Sequence, residues 1–268
     1  MIFPMVAPDP KSPDFRLLCS ECAKCASRFS MLAEGDRILV GISGGEDSLT
    51  LMHVLTNLQR RTPFHFELFA ATINMDFAGF DLKALEDYCK QFSWNWRAVS
   101  IPGSRLLKDK NAEERPCALC SRLRRGQLHA LADELQCNKI ALGQHLDDLC
   151  VSLLMALFRG SGLKTMGPNV PADAASKRLI RPFCTVKKSQ IHAVALPLQY
   201  PTLRSCPYEE KLKETGDRAY LEQLIQQIKE EKFPNVQEAM LRSMGDVRLA
   251  HLLDSRYLPE IDPDAGKL

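Results

Sequence analysis

The amino-acid sequence predicts an α/β fold built on a doubly wound, mainly five-stranded parallel sheet with helices at both ends of the chain. Short apolar runs alternate with stretches of helical spacing, which is typical of β-α-β units. A glycine-rich turn follows the first apolar run, and a cluster of acidic residues follows a later one. The five predicted strands span residues 38–42, 66–75, 96–101, 139–142 and 180–184.

The composition is that of an ordinary globular protein. The chain has 268 residues, of which 45% are hydrophobic and 25% are charged, close to the average for soluble domains. No apolar run approaches the ~20 residues that span a bilayer, and no basic and then apolar leader opens the chain. We therefore expect a cytoplasmic protein without a membrane segment. We predict a loose arm over residues 1–13, a single domain over 14–255 and a short tail over 256–268.

The segment from Arg37 to Leu55 is predicted to form a strand, a tight turn and a helix. Its turn reads Ser43-Gly44-Gly45-Glu46-Asp47-Ser48. Backbone N–H groups of glycines can close on an anion, and the helix that follows adds partial positive charge at its N-terminus. The segment lacks the lysine of a Walker A loop and the glycine spacing of a dinucleotide fingerprint. The turn therefore predicts a phosphate site of a different kind.

Two further strands end at the same predicted edge of the sheet. Asn74 and Met75 close the second strand, where a nucleotide base could pack, although ordinary strand-end residues would look the same. The fourth strand leads into Gln144-His145-Leu146-Asp147-Asp148. Adjacent carboxylates often cap the next helix, but one of them can also serve Mg²⁺ on ATP phosphates. These residues predict a nucleotide site with an imidazole and carboxylates.

Ten cysteines in a chain without a secretory signal indicate metal or sulfur chemistry rather than a disulfide framework. Cys117 and Cys120 form a C-x-x-C pair at a predicted helix start, which is compatible with zinc, iron–sulfur or redox roles. Three more cysteines lie at i, i+3 and i+6 on one face of the first predicted helix, over residues 14–33, and could share a metal or simply pack. These are Cys19, Cys22 and Cys25.

Basic residues cluster locally although the net charge is only +2. Residues 105–125 contain seven Lys and Arg against three acidic residues, and residues 177–188 contain five with no acidic residue. Such patches could follow a phosphate backbone, or they could form a solvated face.

Taken together, these segments make the chain similar to a known family. The hexapeptide S-G-G-x-D-S resembles the PP-loop of ATP pyrophosphatases, which implies a PP-loop (HUP-like) fold. The whole chain resembles the tRNA 2-thiocytidine synthetase (TtcA) family, in family order, over about residues 30–253. The segments that carry the resemblance are EGDRILVGISGGEDS, PCALCSRLRRGQL, KIALGQHLDD, FRGSGLKTM, IRP, Cys206 and NVQEAM.

The resemblance implies an ATP-dependent enzyme that adenylates the C2 oxygen of a cytidine in the tRNA anticodon loop and replaces it with sulfur. It implies a [4Fe-4S] cluster bound by Cys117, Cys120 and Cys206, whose three ligands leave one iron open to a sulfide. A zinc site completed by a fourth residue is the alternative. The implied partners are tRNA and a cysteine desulfurase or another sulfide donor, and a homodimer is an expected assembly.

The same resemblance implies roles for individual residues. Asp47, His145 and Asp148 would act at the reacting phosphate, with Asp47 and Asp148 also placing Mg²⁺. ATP would be bound by a set of residues at the strand ends: Ser43, Gly44, Gly45, Asp47, Ser48, Asn74, Met75 and Gly143. Phosphates of ATP or tRNA would be neutralised by Arg122, Arg124 and Arg125, not all of which share one helix face.

Some positions depart from the family pattern. Glu46 stands where the family usually carries lysine, which places an anion beside the phosphate site. Cys206 is followed by Pro207-Tyr208 without the second cysteine that usually accompanies it. These departures keep two other readings open. One is the same chemistry on a free base, nucleotide or other small molecule, as thiolation or desulfuration, and the other is a non-catalytic, redox-responsive metal protein.

Overall fold

The structure is a computed structural model that describes residues 6–112, 116–172, 177–201 and 206–257. Its centre is one six-stranded sheet. The strands are β1 (Arg37–Gly41), β2 (Glu67–Asn74), β3 (Trp96–Ser100), β4 (Lys139–Ala141), β5 (Asn169–Pro171) and β6 (Arg178–Ile180). The α-helices of the described residues are α1 (Pro13–Arg28), α2 (Glu46–Gln59), α3 (Leu82–Gln91), α4 (Gly103–Asp109), α5 (Pro116–Glu134), α6 (Leu146–Phe158), α7 (Lys188–Ala195), α8 (Glu209–Thr215), α9 (Asp217–Glu231) and α10 (Val236–Gly245).

The strand order is β3-β2-β1-β4-β6-β5. Every neighbouring pair is parallel except β5 with β6, so the predicted five-stranded parallel sheet is confirmed. The sequence also predicts a surface loop over residues 168–176, which is wrong at Asn169–Pro171, where β5 lies. The last predicted strand, 180–184, was also misplaced, because β6 ends at Ile180 and the next residues form a turn in which Cys184 N–H donates to the Arg181 carbonyl over 3.0 Å.

The central strand β1 is buried on both faces. Ile38, Leu39 and Val40 are each 0% exposed, which explains why this strand reads as a continuous apolar run instead of an alternating one. Leu39 packs with Leu131 and Ala132 of α5. Because successive side chains of a strand point to opposite faces, Ile38 and Val40 face the other side, where α1, α2 and α7 pack against one another. The sheet is therefore covered on both faces, as predicted.

The first helix is shorter than its sequence pattern suggests. The pattern predicts a helix as far as residue 33, whereas α1 ends at Arg28 and Ser30 adopts a φ of 50°. That left-handed residue stops the helix, and Met31 N–H returns to the Ala26 carbonyl over 2.8 Å. The buried side of α1 contains Cys19, Cys22 and Cys25.

The contacts divide the chain into two compact units, residues 1–223 and 224–268. The first contains the sheet, and the second contains the end of α9 and the whole of α10. The single domain predicted over 14–255 stays a prediction. Residues 6–12 precede α1, whereas the rest of the predicted arm and most of the predicted tail lie outside the described residues. Within the described ranges, no helix has the length and apolar character needed to cross a membrane.

A buried ion pair fixes the entry to β1. Asp36 is 4% exposed and Lys139, at the start of β4, is 7% exposed, and their side chains lie 2.5 Å apart. Asp36 also accepts hydrogen bonds from Ala33 N–H and the Asn138 amide. We predict that Asp36→Asn lowers the free energy of unfolding by about 3 kcal/mol, because it leaves the Lys139 charge buried without its partner.

Urea unfolding measures this change. Asp87→Asn is the matched control, since Asp87 forms an exposed pair with Lys83 and its loss should leave the unfolding free energy nearly unchanged. Equal effects of the two substitutions would contradict the assigned role of Asp36.

Candidate functional site

A cavity of about 1080 Å³ opens at the carboxyl ends of β1, β2 and β4. This is where ligands bind in open parallel sheets, at the point where the strand order changes direction. The volume suits a nucleotide with part of a second substrate. Its wall includes most of the residues singled out in the sequence: Ser43, Asp47, Ser48, Asn74, Met75, Cys117, Cys120, Arg124, Arg125, Gly143, Asp148 and Cys206.

The glycine turn, residues 43–48, is ordered by its own side chains. The Ser48 hydroxyl accepts a hydrogen bond from Ser43 N–H over 3.1 Å and donates one to the Gly45 carbonyl over 3.0 Å. Gly44 has a φ of 87°, a conformation that favours glycine. Among the described side chains, none caps the start of α2 at Gly45. The turn therefore offers a helix N-terminus to an anion, as its sequence predicts.

Gly143 brings the end of β4 against this turn. A Cβ atom at this position would lie 3.0 Å from the carbonyl carbon of Asp47 and 3.1 Å from the Ser48 nitrogen. Both are backbone atoms, so a larger residue would have to displace the glycine turn. This close approach sets the relative positions of residues 43–48 and 143–148.

His145 lies among three carboxylates and is 7% exposed. Its Nε2 is 3.4 Å from Asp148 and 3.9 Å from Asp47, and its Nδ1 is 3.4 Å from Asp147. Burial lowers the pKa of His145, but the three carboxylates outweigh it, so the net pKa is raised. The carboxylates thus favour the protonated imidazole, which contacts Asp148 and lies close to Asp47, two residues of the cavity lining. His145 itself lies outside the lining that the described residues form.

Basic side chains from distant parts of the chain balance these acids. Lys188, the first residue of α7, places Nζ 2.6 Å from Asp47 and 2.8 Å from Glu46, and His192 lies 3.1 Å from Glu46. Burial raises the pKa of Glu46, but Lys188 and His192 together lower it by more, so the net pKa is below its ordinary value. Glu46 thus faces α7 as a paired anion.

Two arginines complete this charge balance. Arg218 of α9 forms an ion pair with Asp148. Arg181, 7% exposed, donates to the Gln144 side chain and to the Gly167 carbonyl, and it lines the cavity. The sequence analysis included Arg181 and Lys188 only as members of the basic stretch 177–188, and it assigned no role to Arg218. Arg181 also lies in the IRP segment.

The predicted phosphate-binding arginines of α5 do not share one environment. Arg124 and Arg125 line the cavity, whereas Arg122 is exposed and lies apart from the lining that the described residues form. Because one turn of an α-helix takes 3.6 residues, neighbouring positions point in different directions. The expectation that the three would not share a face agrees with this placement.

The thiols of Cys117, Cys120 and Cys206 lie on the wall of the same cavity. Burial raises the pKa values of Cys117 and Cys120, and the neighbouring cysteines raise them further, while Arg124 lowers them. Added positive charge, such as that of a bound metal, would therefore favour the thiolate forms of Cys117 and Cys120. In the described parts of the chain, no three His, Cys, Asp or Glu residues form a group arranged to hold a single metal ion.

The second strand also reaches the cavity. Asn74 and Met75 both line it, and Asn74 is oriented by hydrogen bonds to the Ser100 hydroxyl and from Asp76 N–H. Gly103 allows a close approach to Met75, because a Cβ atom there would lie 2.5 Å from the Met75 carbonyl oxygen. The position predicted for a base therefore has one amide and one apolar side chain.

Sequence comparison relates the chain to known proteins over most of its length. A family described as the PP-loop domain matches residues 20–200. The chain is 35% identical over 245 residues to a tRNA-cytidine(32) 2-sulfurtransferase of Syntrophotalea carbinolica, covering 90% of this chain and 93% of that protein. It is 34% identical to the protein of the same name from Geobacter sulfurreducens, with the same coverage of both chains.

Structure comparison gives a compatible result for the fold. The U34-tRNA thiolase NcsA from Methanococcus maripaludis, solved with its [4Fe-4S] cluster, superposes with a TM-score of 0.65. The superposition covers 88% of this chain and 80% of that one, at 18% sequence identity. At this identity the likeness establishes the shared fold.

The environment of His145 predicts a pH-dependent contribution to stability. Because its pKa is raised in the folded state, protonated His145 stabilises the fold fully below its ordinary pKa of 6.5 and loses this effect as the pH rises through the higher folded value. The loss of unfolding free energy in His145→Gln should therefore be largest below pH 6.5 and shrink as the pH increases. Urea unfolding of both proteins between about pH 5 and about pH 9 measures it.

His53→Gln is the control for this titration. His53 is buried and its pKa is lowered to about 3 by burial, so the folded protein keeps it neutral while the unfolded chain binds a proton below about pH 6.5. The loss of unfolding free energy in His53→Gln should therefore be largest above pH 6.5 and shrink as the pH falls, opposite to the trend of His145→Gln. The same trend for both substitutions, or a constant effect of His145→Gln, would contradict the assignment.

Proposed function

Because this chain belongs to the PP-loop family that contains the tRNA-cytidine(32) 2-sulfurtransferases, we propose that it replaces the C2 oxygen of cytidine 32 in tRNA with sulfur in an ATP-dependent reaction. The observation that carries this proposal is the shared cavity. Ser43, Asp47 and Ser48 of the glycine turn line the same cavity as Cys117, Cys120 and Cys206. This supports a reaction in which an activated carbon and a sulfur meet in one cavity.

The first half of the reaction activates the carbonyl group. The C2 oxygen attacks the α-phosphorus of ATP, a C–O–P linkage forms, and pyrophosphate leaves. The backbone N–H groups at the start of α2 bind the departing pyrophosphate, and Ser43 and Ser48 keep the turn in shape. Protonated His145 lies against Asp47 and Asp148, so its positive charge offsets theirs beside the phosphates.

The carboxylates of Asp47 and Asp148 would hold Mg²⁺. Both line the cavity, and hard carboxylate oxygens are the ligands that Mg²⁺ prefers. In the described structure each already faces a cation, Lys188 and Arg218 respectively. A bound metal ion would neutralise phosphate charge and free these two basic side chains to contact ATP.

Cys117, Cys120 and Cys206 would hold a [4Fe-4S] cluster. Cysteine thiolates are the donors that hold such a cluster, and three cysteines line this cavity. The positive charge of iron also compensates the raised pKa values of Cys117 and Cys120. A cluster with three protein ligands supplies one iron that can bind an exogenous sulfur.

The second half of the reaction forms the C–S bond. Sulfide attacks C2, the C2–O bond breaks, and AMP leaves with the former carbonyl oxygen. Arg124 and Arg125, on the cavity wall, and exposed Arg122 can bind phosphates of the tRNA backbone. An anticodon-loop base is unpaired and can enter such a pocket. The proposed sulfur source is a cysteine desulfurase, whose persulfide an added dithiol reduces to sulfide, or another sulfide donor, and the homodimer stays a prediction.

Glu46 does not argue against this reaction. Its carboxylate is paired with Lys188 and His192 on α7 and lies outside the described cavity lining. Lys188 contacts Glu46 and Asp47 together, so positive charge is present beside the glycine turn although position 46 is acidic. The acidic residue at position 46 is therefore a weaker reason to favour a small-molecule substrate.

A thiolation assay tests the proposal. Protein reconstituted anaerobically with iron and sulfide is incubated with Mg·ATP, sulfide and tRNA transcripts that carry either cytidine or uridine at position 32. Mass spectrometry should find 2-thiocytidine only in the transcript that carries cytidine at position 32. That reaction should form one AMP for each 2-thiocytidine. AMP formation with a free base but not with tRNA would favour a small-molecule substrate, and no AMP with any acceptor would favour a non-catalytic protein.

We predict that Cys206→Ala separates the two halves of the reaction. The variant should lose the cluster absorbance and all 2-thiocytidine formation, because two thiolates do not retain the cluster. Its affinity for Mg·ATP should stay within about twofold of the parent, since the glycine turn is untouched. Unchanged iron content would contradict the ligand assignment.

We predict that Gly143→Ala weakens Mg·ATP binding at least about tenfold, or about 1.4 kcal/mol, because the added methyl group displaces the backbone of Asp47 and Ser48. Isothermal titration with an unhydrolysable ATP analogue measures the affinity. Gly126→Ala on α5 is the matched control, since a Cβ atom there meets open space. Equal affinities of the two variants would contradict the role of Gly143.

A further inference from the structure

A second group of cysteines lies outside the cavity, between α1 and the turn that follows β6. Cys19, Cys22 and Cys25 project from the buried side of α1, and Cys184 comes from the turn. The Sγ atoms of Cys25 and Cys184 are 3.3 Å apart although the residues are 159 positions apart in the sequence. A disulfide needs a separation near 2 Å, so about 1 Å of movement would join them.

The two thiols of this pair are chemically unequal. Hydrogen bonds from Cys184 and Thr185 together lower the pKa of Cys25 to about 7 in spite of its burial. The same contact and burial raise the pKa of Cys184. Cys22, the other nearby thiol, has a pKa raised by burial and by its cysteine neighbours. Cys25 is therefore the nucleophile of the group, with Cys184 as its closest partner.

We propose that Cys25 and Cys184 are a modification site, at which a peroxide converts the thiol pair to a disulfide. The Cys25 thiolate attacks one peroxide oxygen, the O–O bond breaks, and a sulfenic acid and water form after protonation. The Cys184 sulfur then attacks the Cys25 sulfur, the S–O bond breaks, and a second water leaves. The two sulfurs lose two electrons in total, which reduce one hydrogen peroxide to two waters, and a dithiol reverses the bond.

This disulfide would join α1 to a segment that reaches the cavity. Three residues before Cys184 stands Arg181, which lines the cavity, and four residues after it stands Lys188, which contacts Asp47. Between them, the Val186 carbonyl accepts a hydrogen bond from Leu146 N–H over 2.8 Å. The bond would therefore restrain the turn that carries two cavity-facing basic residues. The cysteine pair is independent of the proposed function.

Peptide mapping tests the proposal. Reduced protein is treated with hydrogen peroxide, remaining thiols are alkylated, and the chain is digested with trypsin. Cleavage after Lys24 and Arg28 isolates Cys25 in the peptide CASR, away from Cys19 and Cys22, and Cys184 lies in LIRPFCTVK. We expect these two peptides to appear covalently joined, with the loss of two hydrogens, and to separate after treatment with a dithiol.

Substitutions identify the pair. The linked peptide should persist in Cys22→Ser, the matched buried control, and disappear in Cys184→Ser. If a variant fails to fold, peptide mapping of the parent protein alone still tests the proposal. The proposal would be overturned if peroxide oxidises exposed Cys117 but leaves Cys25 and Cys184 fully alkylated. A disulfide bond between Cys184 and Cys22 would also overturn it.

Thermal unfolding gives a second measurement. A bond that closes so long a loop should raise Tm by roughly 5–10 °C. We expect this shift on peroxide treatment of the parent protein and of Cys22→Ser, reversed by a dithiol, and no shift in Cys184→Ser. An equal shift in Cys184→Ser would overturn the assignment.

Discussion

The close contact between two strand ends determines the rest of the site. β1 and β4 are parallel neighbours, with Val40 beside Ala141, so the chain leaves both strands at the same edge. The segment after β1 is the glycine turn, and the segment after β4 begins with Gly143, against the backbone of Asp47 and Ser48. Because no side chain separates them, an anion-binding helix start and a set of carboxylates meet at one point. The close contact between the two segments depends on glycine at position 143 and not on a particular catalytic side chain.

Carboxylates gathered in this way repel one another unless cations accompany them. In the described structure the cations come from far along the chain. Lys188 pairs with Asp47, Arg218 pairs with Asp148, and His145 lies among the three aspartates. Each of these two acids thus has a basic partner at the cavity. A nucleotide with its metal ion would exchange partners with these pairs, which keeps the local charge balanced before and after binding.

Local patterns predicted the elements, and tertiary contacts determined what the sequence left open. The buried strands, the glycine turn and the C-x-x-C pair each have a signal within a few residues, and all were predicted. The direction of Glu46 was not, because it depends on Lys188, which lies far away in the sequence. β5 was missed because three residues that include Pro171 give little strand signal. Cys184 was predicted in a strand, and its contact with Cys25 follows from the turn that replaces that strand.

Cys206 shows how an isolated residue can acquire a defined position. On one side of it in the sequence, Tyr200 places its hydroxyl 2.9 Å from Thr50 of α2 and stacks on His53, with ring centroids 6.2 Å apart. On the other side, Tyr208 packs edge-on against Phe77, just after β2. Tyr208, two residues after Cys206, thus contacts the chain just after a neighbouring strand. This aromatic contact, rather than a second cysteine, lies beside the thiol at the cavity that Ser43 and Ser48 also line.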